Sequence, residues 1–287
     1  YHLKSLIDKG LLEQSYQDVS RVLIKKISIQ SREKKLSISQ EKALLDIKYI
    51  FGKKKVILFE GVTSSGKTEV YIKLIKEELD KGNQVLYLLP EIALTSQIVQ
   101  RLTSYFRKKV LVYHSKFSTH ERTEVWNQVL KNDMGGTIIV GARSSLLLPF
   151  KILSLIIVDE EHENSFKQLD PAPRYQARDS AIYLARDLNA KIILGSATPS
   201  IETAENARNG KYGWVKLNER YGGVELPKIE LVNLKEEYKK NTMLGIFSKQ
   251  LLSEIKETIK QKKQVILFQN RRGYAPILEC LCCGHSP

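Results

Sequence analysis

The first 279 residues contain no cysteine; all three, Cys280, Cys282 and Cys283, stand among the last eight. That placement excludes a disulfide framework, which spreads its cysteines through a fold, and leaves one local metal or redox feature in a chain expected in a reducing compartment. Apolar runs long enough to cross a bilayer are missing too, and the opening YHLKSLIDKG has neither a signal-peptide core nor an initiator methionine. The expectation is a cytoplasmic protein with no membrane partner, whose true N-terminus lies upstream. Acidic residues are in deficit, 32 Asp and Glu against 46 Lys and Arg, for a net charge of +14. Such a balance points to a polyanionic partner such as nucleic acid, and a merely soluble basic surface is the competing reading. No short-period repeat and no low-complexity tract occurs.

What is present alternates. Residues 1–13 place apolar side chains on one helical face, RVLIKKI at 21–27 reads as a short strand, and the charged SREKKLSIS at 31–39 reads as a linker. From residue 40 a helix through QEKALLDIKYIF is followed by a strand at KKVILFE, a helix from Lys67 to about Lys81 and a strand at QVLYLLP. Further strands are expected at 110–114, 137–140, 154–159 and 191–196. Short, nearly continuous β-branched runs between amphipathic helices mark a parallel sheet covered on both faces, so the fold class is α/β, doubly wound. After KYGWVKL at 211–217 the alternation weakens, and the polar stretch around NERYGGVELPKIE reads as a crossing segment. Helix and strand return at FSKQLLSEIKETIKQKKQVILFQN, the opening of a second α/β domain.

The strongest chemical signal is Gly61-Val62-Thr63-Ser64-Ser65-Gly66-Lys67-Thr68, a G-x-x-x-x-G-K-[ST] phosphate loop between an apolar strand and an amphipathic helix. Its glycines let backbone N–H groups and a helix N-terminus face nucleotide phosphates, Lys67 reaches the β- and γ-phosphates, and Thr68 offers its hydroxyl to Mg²⁺. ATP and Mg²⁺ are therefore the expected ligands. A phosphate loop also needs an acidic residue at the end of a neighbouring strand to hold the metal. SLIIVDEEH supplies Asp159, with Glu160 beside it as the base that orients and deprotonates water. Glu161 is expected to be a solvated neighbour. His162 reads either as a hydrogen-bonding spacer or as a sensor of nucleotide state.

DEEH at 159–162 and SATPS at 196–200 resemble the Asp-Glu-x-His and Ser-Ala-Thr boxes of superfamily 2 helicases and translocases. More specific segments, GARSSLLLPF, RYQARDSAIYLAR and QNRRGYAPILECLCCG, together with FEGVTSSGKTEVYIKLI and YHSKFSTHERTEVW, resemble the bacterial primosomal replication-restart helicase family from about residue 36 onward. The resemblance implies a RecA-like P-loop motor domain at 36–222. It also implies a partial winged-helix-like segment with linker at 1–35, and the start of a second motor domain at 223–287, truncated in a zinc-binding motif. It implies an ATP-dependent 3′-to-5′ DNA helicase of replication restart that meets branched and single-stranded DNA, single-stranded-DNA-binding protein and primosome proteins. The rival is a nucleotide-gated scaffold that binds branched DNA without productive unwinding.

The same resemblance gives Gln40 to the adenine edge, against a plain surface glutamine, and Arg143 and Ser144 to the nucleic-acid backbone. It makes residues 163–178 an aromatic-rich loop that senses single-stranded DNA. Phe166 and Tyr175 would stack on bases, Gln168 lies in the same loop, and Lys167, Arg174 and Arg178 would neutralise phosphates. The competing reading has the two aromatics pin the loop to the core. Ser196 and Thr198 fall in the box that links hydrolysis to movement, with His162 at the junction. Cys280 and Cys283 form half of a Zn²⁺ site whose other ligands belong to the full-length protein; no ordered zinc is expected in this fragment, and Cys282 or His285 could compete as ligand. Arg271 and Arg272 are expected to serve structure or DNA contact.

Overall fold

The computed structural model describes residues 2–11, 35–90, 96–115, 117–133, 135–220, 222 and 227–268. The strand expected at 21–27, residues 31–34 of the linker, the NRRGYAP stretch and the three cysteines lie outside the described residues. Two compact units divide the chain, Tyr1–Glu225 and Leu226–Pro287.

In the first unit, a short helix α1 (His2–Asp8) precedes α2 (Ile38–Phe51). There follow β1 (Val56–Gly61), α3 (Lys67–Asp80), β2 (Gln84–Leu88), α4 (Ser96–Phe106), β3 (Val110–Tyr113), α5 (Thr119–Lys131) and β4 (Thr137–Gly141). The unit continues with β5 (Leu153–Asp159), α6 (Ala177–Asp187), β6 (Lys191–Ser196), α7 (Ile201–Arg208) and β7 (Gly213–Leu217). The seven strands form one sheet in the order β3-β4-β2-β5-β6-β1-β7, and every pairing is parallel. Six strands fall where the apolar runs place them; β7 adds a seventh along the edge beside β1.

Both faces of the sheet are covered, which is why its strands read as continuous apolar runs rather than as alternation. On one face Ile57, Phe59, Val85, Tyr87, Ile157 and Ile193 pack with Ala43 and Ile47 of α2 and Ile75 of α3. On the other Leu58, Leu86, Ile156, Val158 and Leu194 pack with Val125 and Val129 of α5 and Ala181 of α6. Each such aliphatic side chain contributes about 1.5–3 kcal/mol through burial, so the sheet is a stiff floor for whatever its ends carry. Local signals agree with this layout. Ser37 caps α2, accepting from the Gln40 amide N–H while Oε1 of Gln40 accepts from the Ser37 N–H, and Ser118 with Glu121 repeats the same box on α5.

Strand order decides where the motifs meet. The β5–β6 ladder pairs Asp159 with Gly195, and the β1–β6 ladder pairs Glu60 with Ser196. The phosphate loop after β1, the Ser-Ala-Thr box after β6 and the acidic box after β5 therefore lie side by side at the carboxyl ends of adjacent strands, where open α/β sheets bind ligands.

The second unit contains α8 (Leu234–Lys239) and α9 (Lys249–Lys260), the latter capped by Ser248. The strand expected in QVILFQN does not form over its described part: residues 263–268 have no ladder, with Ile266 92% and Phe268 84% exposed. A strand needs a neighbour for its N–H and C=O groups, and among the described residues this unit holds none.

Candidate nucleotide site

Backbone geometry shapes the phosphate loop. Gly66 and Ser64 have φ of 82° and 63°, the left-handed region. Gly66 is required twice over, because a Cβ there would lie 2.3 Å from Nε2 of Gln40. The Val62 amide donates to the Leu217 carbonyl and the Ser65 amide to Val62, so the chain leaves β1 in a closed curl and enters α3 directly at Lys67. Lys67 Nζ donates to the Gly61 carbonyl at 2.8 Å, spanning the curl. Arg220 reaches in from beyond β7, donating to Thr63 Oγ1 at 3.1 Å.

A cleft of about 400 Å³ opens over this loop, lined by residues 62–69 with Gln40, Arg101, Asp159 and Glu160. The expected nucleotide residues are thus brought together. Gln40 is not a surface glutamine: it is 1% exposed, Nε2 donates to the Ser65 carbonyl at 2.9 Å, and Oε1 is held by the Ser37 amide at 3.0 Å. Its side chain joins the start of α2 to the loop.

Asp159 ends β5. Burial pushes its carboxyl up to about 6, opposed by a hydrogen bond from the Tyr87 hydroxyl and reinforced by neighbouring Glu160. Glu160 adopts φ 53°, a left-handed conformation rare for a bulky residue, and its carbonyl accepts from the Glu163 amide in a tight turn. His162 Nδ1 lies 2.8 Å from Ser196 Oγ and 3.8 Å from Glu160 Oε2, and its Nε2 lies 3.4 Å from Thr198 Oγ1. One imidazole touches the acidic box and both expected polar members of the Ser-Ala-Thr box.

Three expectations from the sequence require correction. Glu161 is not solvated. Its amide donates to the Gly195 carbonyl, continuing the β5–β6 ladder by one residue, so its side chain turns into the interior and is fully buried. There it accepts from the Ser200 amide at 2.7 Å, the Thr203 hydroxyl at 3.0 Å and Arg178 Nη1 at 3.1 Å. Arg178, expected at DNA phosphates, is buried on that carboxylate, with Nε on Asp179 at 2.8 Å. Phe166 offers no face for base stacking, because it is 1% exposed in the core beneath α6; the pinning reading holds for it.

The other loop residues stay outward. Lys167 and Arg174 are exposed and Tyr175 is half-buried. Lys167 bridges to Gln176, the Gln168 amide donates to the Tyr175 carbonyl, and Gln168 Nε2 donates to the carbonyls of Pro171 and Pro173, closing a hairpin. Arg143 buttresses that hairpin, donating to the carbonyls of Ser165 and Lys167, both at 3.3 Å. Ser144 is half-buried beside it.

Residues missed in the sequence complete the site. Tyr71 and Tyr87 place their hydroxyls at Asp159, and Arg101 ion-pairs with Glu69 on the cleft wall. The only trace of the tyrosines is a hydroxyl inside two apolar runs where phenylalanine would pack as well.

The site fits Mg²⁺ and a nucleoside triphosphate: a curled loop with a glycine that admits no side chain, a lysine, a threonine and a strand-end carboxylate line one cleft. Among the described residues, no group of three or more His, Cys, Asp or Glu side chains gathers as for a metal. No described helix is long and apolar enough to cross a membrane.

The family model for DEAD/DEAH box helicases matches residues 37–207. A curated relative, the replication restart protein PriA of Rickettsia felis, is 47% identical over 232 residues, covering 80% of this chain and 35% of its own length. The protein of the same name from Bacillus subtilis is 38% identical over 288 residues, covering 99% of this chain and 35% of its own. The chain thus spans about a third of the length of the curated relatives it matches. Among solved structures, RecG bound to a three-way DNA junction matches with TM-score 0.49 and 20% identity, covering 67% of this chain and 25% of that one.

Proposed function

This chain belongs to the DEAD/DEAH box helicase family, and from that premise we propose that it is the nucleotide-binding motor of a replication-restart DNA helicase that moves 3′ to 5′ on single-stranded DNA. One observation carries the reading: Lys67, Asp159 and Glu160 meet in one cleft, and His162 ties the same acidic box to Ser196. Lys67 and the loop amides bind the β- and γ-phosphates. Thr68 and Asp159 would hold Mg²⁺, which when bound neutralises charge on the phosphoryl oxygens. Glu160, on its strained turn beside Asp159, orients water and takes its proton. Gln40, lining the same cleft, is suited to read adenine with its remaining amide proton.

The DNA track is assigned to the exposed side of the 164–176 hairpin, where Lys167 and Arg174 neutralise phosphates and Tyr175 supplies a ring edge. Arg143 supports that hairpin, and Ser144 beside it is assigned to the nucleic-acid backbone. Ser196, Thr198 and His162 carry the nucleotide state to it. Branched DNA, single-stranded-DNA-binding protein and primosome proteins are the proposed partners of the whole protein, a reading supported by the similarity to replication restart proteins. Cys280 and Cys283 are proposed as half of a Zn²⁺ site completed by the whole protein.

The test is ATP turnover by the full-length protein with and without forked DNA, comparing wild type with Lys67→Ala and Glu160→Gln. DNA-stimulated turnover is expected in the wild type and lost in both variants. Normal turnover by Glu160→Gln would overturn the assignment of the base. Tight branched-DNA binding without DNA-dependent phosphate release in the wild type would favour a nucleotide-gated scaffold.

A further inference from the structure

Two buried tyrosines converge on the carboxylate assigned to the metal. Tyr71 stands on α3 four residues after Lys67, and Tyr87 stands on β2 beside β5. Both are fully buried, and their rings form an edge-on row with Phe59, with centroids 5.8 Å apart from Phe59 to Tyr71 and 5.9 Å from Tyr71 to Tyr87. Tyr87 Oη donates to Asp159 Oδ2 at 2.8 Å, and Tyr71 Oη to Oδ1 at 3.4 Å. A phenol in an apolar layer costs free energy unless its hydroxyl is hydrogen-bonded, and phenylalanine would fill the same space without that cost. The layer nonetheless carries two phenols, each directed to one oxygen of the same carboxylate.

The sheet makes room for this arrangement. Gly195 pairs with Asp159 on one side and Phe59 on the other. A Cβ at 195 would lie 1.9 Å from the Tyr71 hydroxyl and 3.2 Å from Asp159 Oδ1. No other residue fits there while Tyr71 keeps its position.

We propose that Tyr71 and Tyr87 are positioning residues for the metal-binding carboxylate. Each takes one acceptor direction of Asp159, which leaves the carboxylate's remaining lone pairs facing the phosphate loop in a single orientation. Tyr71 also ties Asp159 to the helix that begins with Lys67 and Thr68, so the two groups assigned to Mg²⁺ keep a fixed separation. Outer hydrogen bonds of this kind typically set metal affinity by about 10–100-fold. The inference deepens the proposed function and rests on its assignment of Asp159.

The experiment measures binding of a fluorescent ATP analogue to full-length protein, first in EDTA and then across a Mg²⁺ titration, alongside thermal unfolding. The proteins are wild type, Tyr87→Phe, Tyr71→Phe and the double variant. Phenylalanine keeps the packing, so all should fold and bind the analogue in EDTA within about twofold of wild type. Tyr87→Phe should need about tenfold more Mg²⁺ to reach its full affinity, Tyr71→Phe less of an increase, and the double variant the most. Wild-type Mg²⁺ dependence in Tyr87→Phe and in the double variant would overturn the proposal and leave the nucleotide site intact. A wild type whose binding ignores Mg²⁺ altogether would overturn the assignment of Asp159 and with it the proposed function.

Discussion

Glu161 and Arg178 form an ion pair inside the protein, Oε2 to Nη1 at 3.1 Å, with the glutamate side chain fully buried and the arginine side chain 9% exposed. The pair joins the end of β5 to the start of α6, and Ser200 and Thr203 at the head of α7 complete it. Removing Arg178 leaves the Glu161 charge buried without a counter-ion, at a cost of about 3–5 kcal/mol, whereas removing Glu161 leaves Arg178 paired with Asp179. Arg178→Met should lose that much in urea unfolding and Glu161→Ala less, and the double variant should lose less than the sum by at least about 1 kcal/mol. Additive losses would show that the two residues act independently.

Strain and chemistry can be separated at Glu160. Its φ of 53° suits glycine, and relief of a left-handed bulky residue is worth about 1 kcal/mol. Glu160→Gly should therefore unfold at higher temperature than wild type while losing turnover. Calorimetry showing an unchanged or lower Tm would mean that the turn is not strained.

The raised Asp159 carboxyl makes stability depend on pH. Burial lifts it from 3.8 in the ordinary carboxylate to about 6 in the folded chain. The folded state therefore holds the proton more tightly, its advantage is complete below 3.8, and it is lost as pH rises through 6. Without Mg²⁺, Asp159→Asn should be more stable than wild type at pH 7.5, with the gap narrowing as pH falls below 6 and closing only near 3.8. A gap independent of pH, followed by thermal melts, would place the titration elsewhere.

The hairpin offers a local test. Arg143→Ala deletes the bonds to the carbonyls of Ser165 and Lys167, so amide exchange of residues 165–168 should quicken while the sheet amides keep their protection. Unchanged exchange there would remove Arg143 from the support of the loop.

The parallel sheet and the phosphate loop were legible in the residues, because a two-faced strand and a glycine-rich turn leave local signatures. Asp159 was legible through its position at the end of an apolar run. Glu161 was not: surrounded by Asp159, Glu160 and His162, it shares their charged context, and only the extra rung to Gly195 turns it inward. Arg178 misled for the matching reason, since a basic residue near aromatics reads as a phosphate contact until its buried carboxylate is known. Tyr71 and Tyr87 lie in different elements, and only strand order for Tyr87 and the packing of α3 on the sheet for Tyr71 bring them to Asp159. β7 was hidden by its position on the edge, where Lys216 faces solvent and interrupts the apolar run.

Exposure at Ile266, Leu267 and Phe268 has a practical side. Exposed apolar residues of high β-propensity that pair with no described strand are a template on which a second polypeptide can align. Samples of this chain should self-associate as concentration rises, and Ile266→Lys should delay the onset of light scattering.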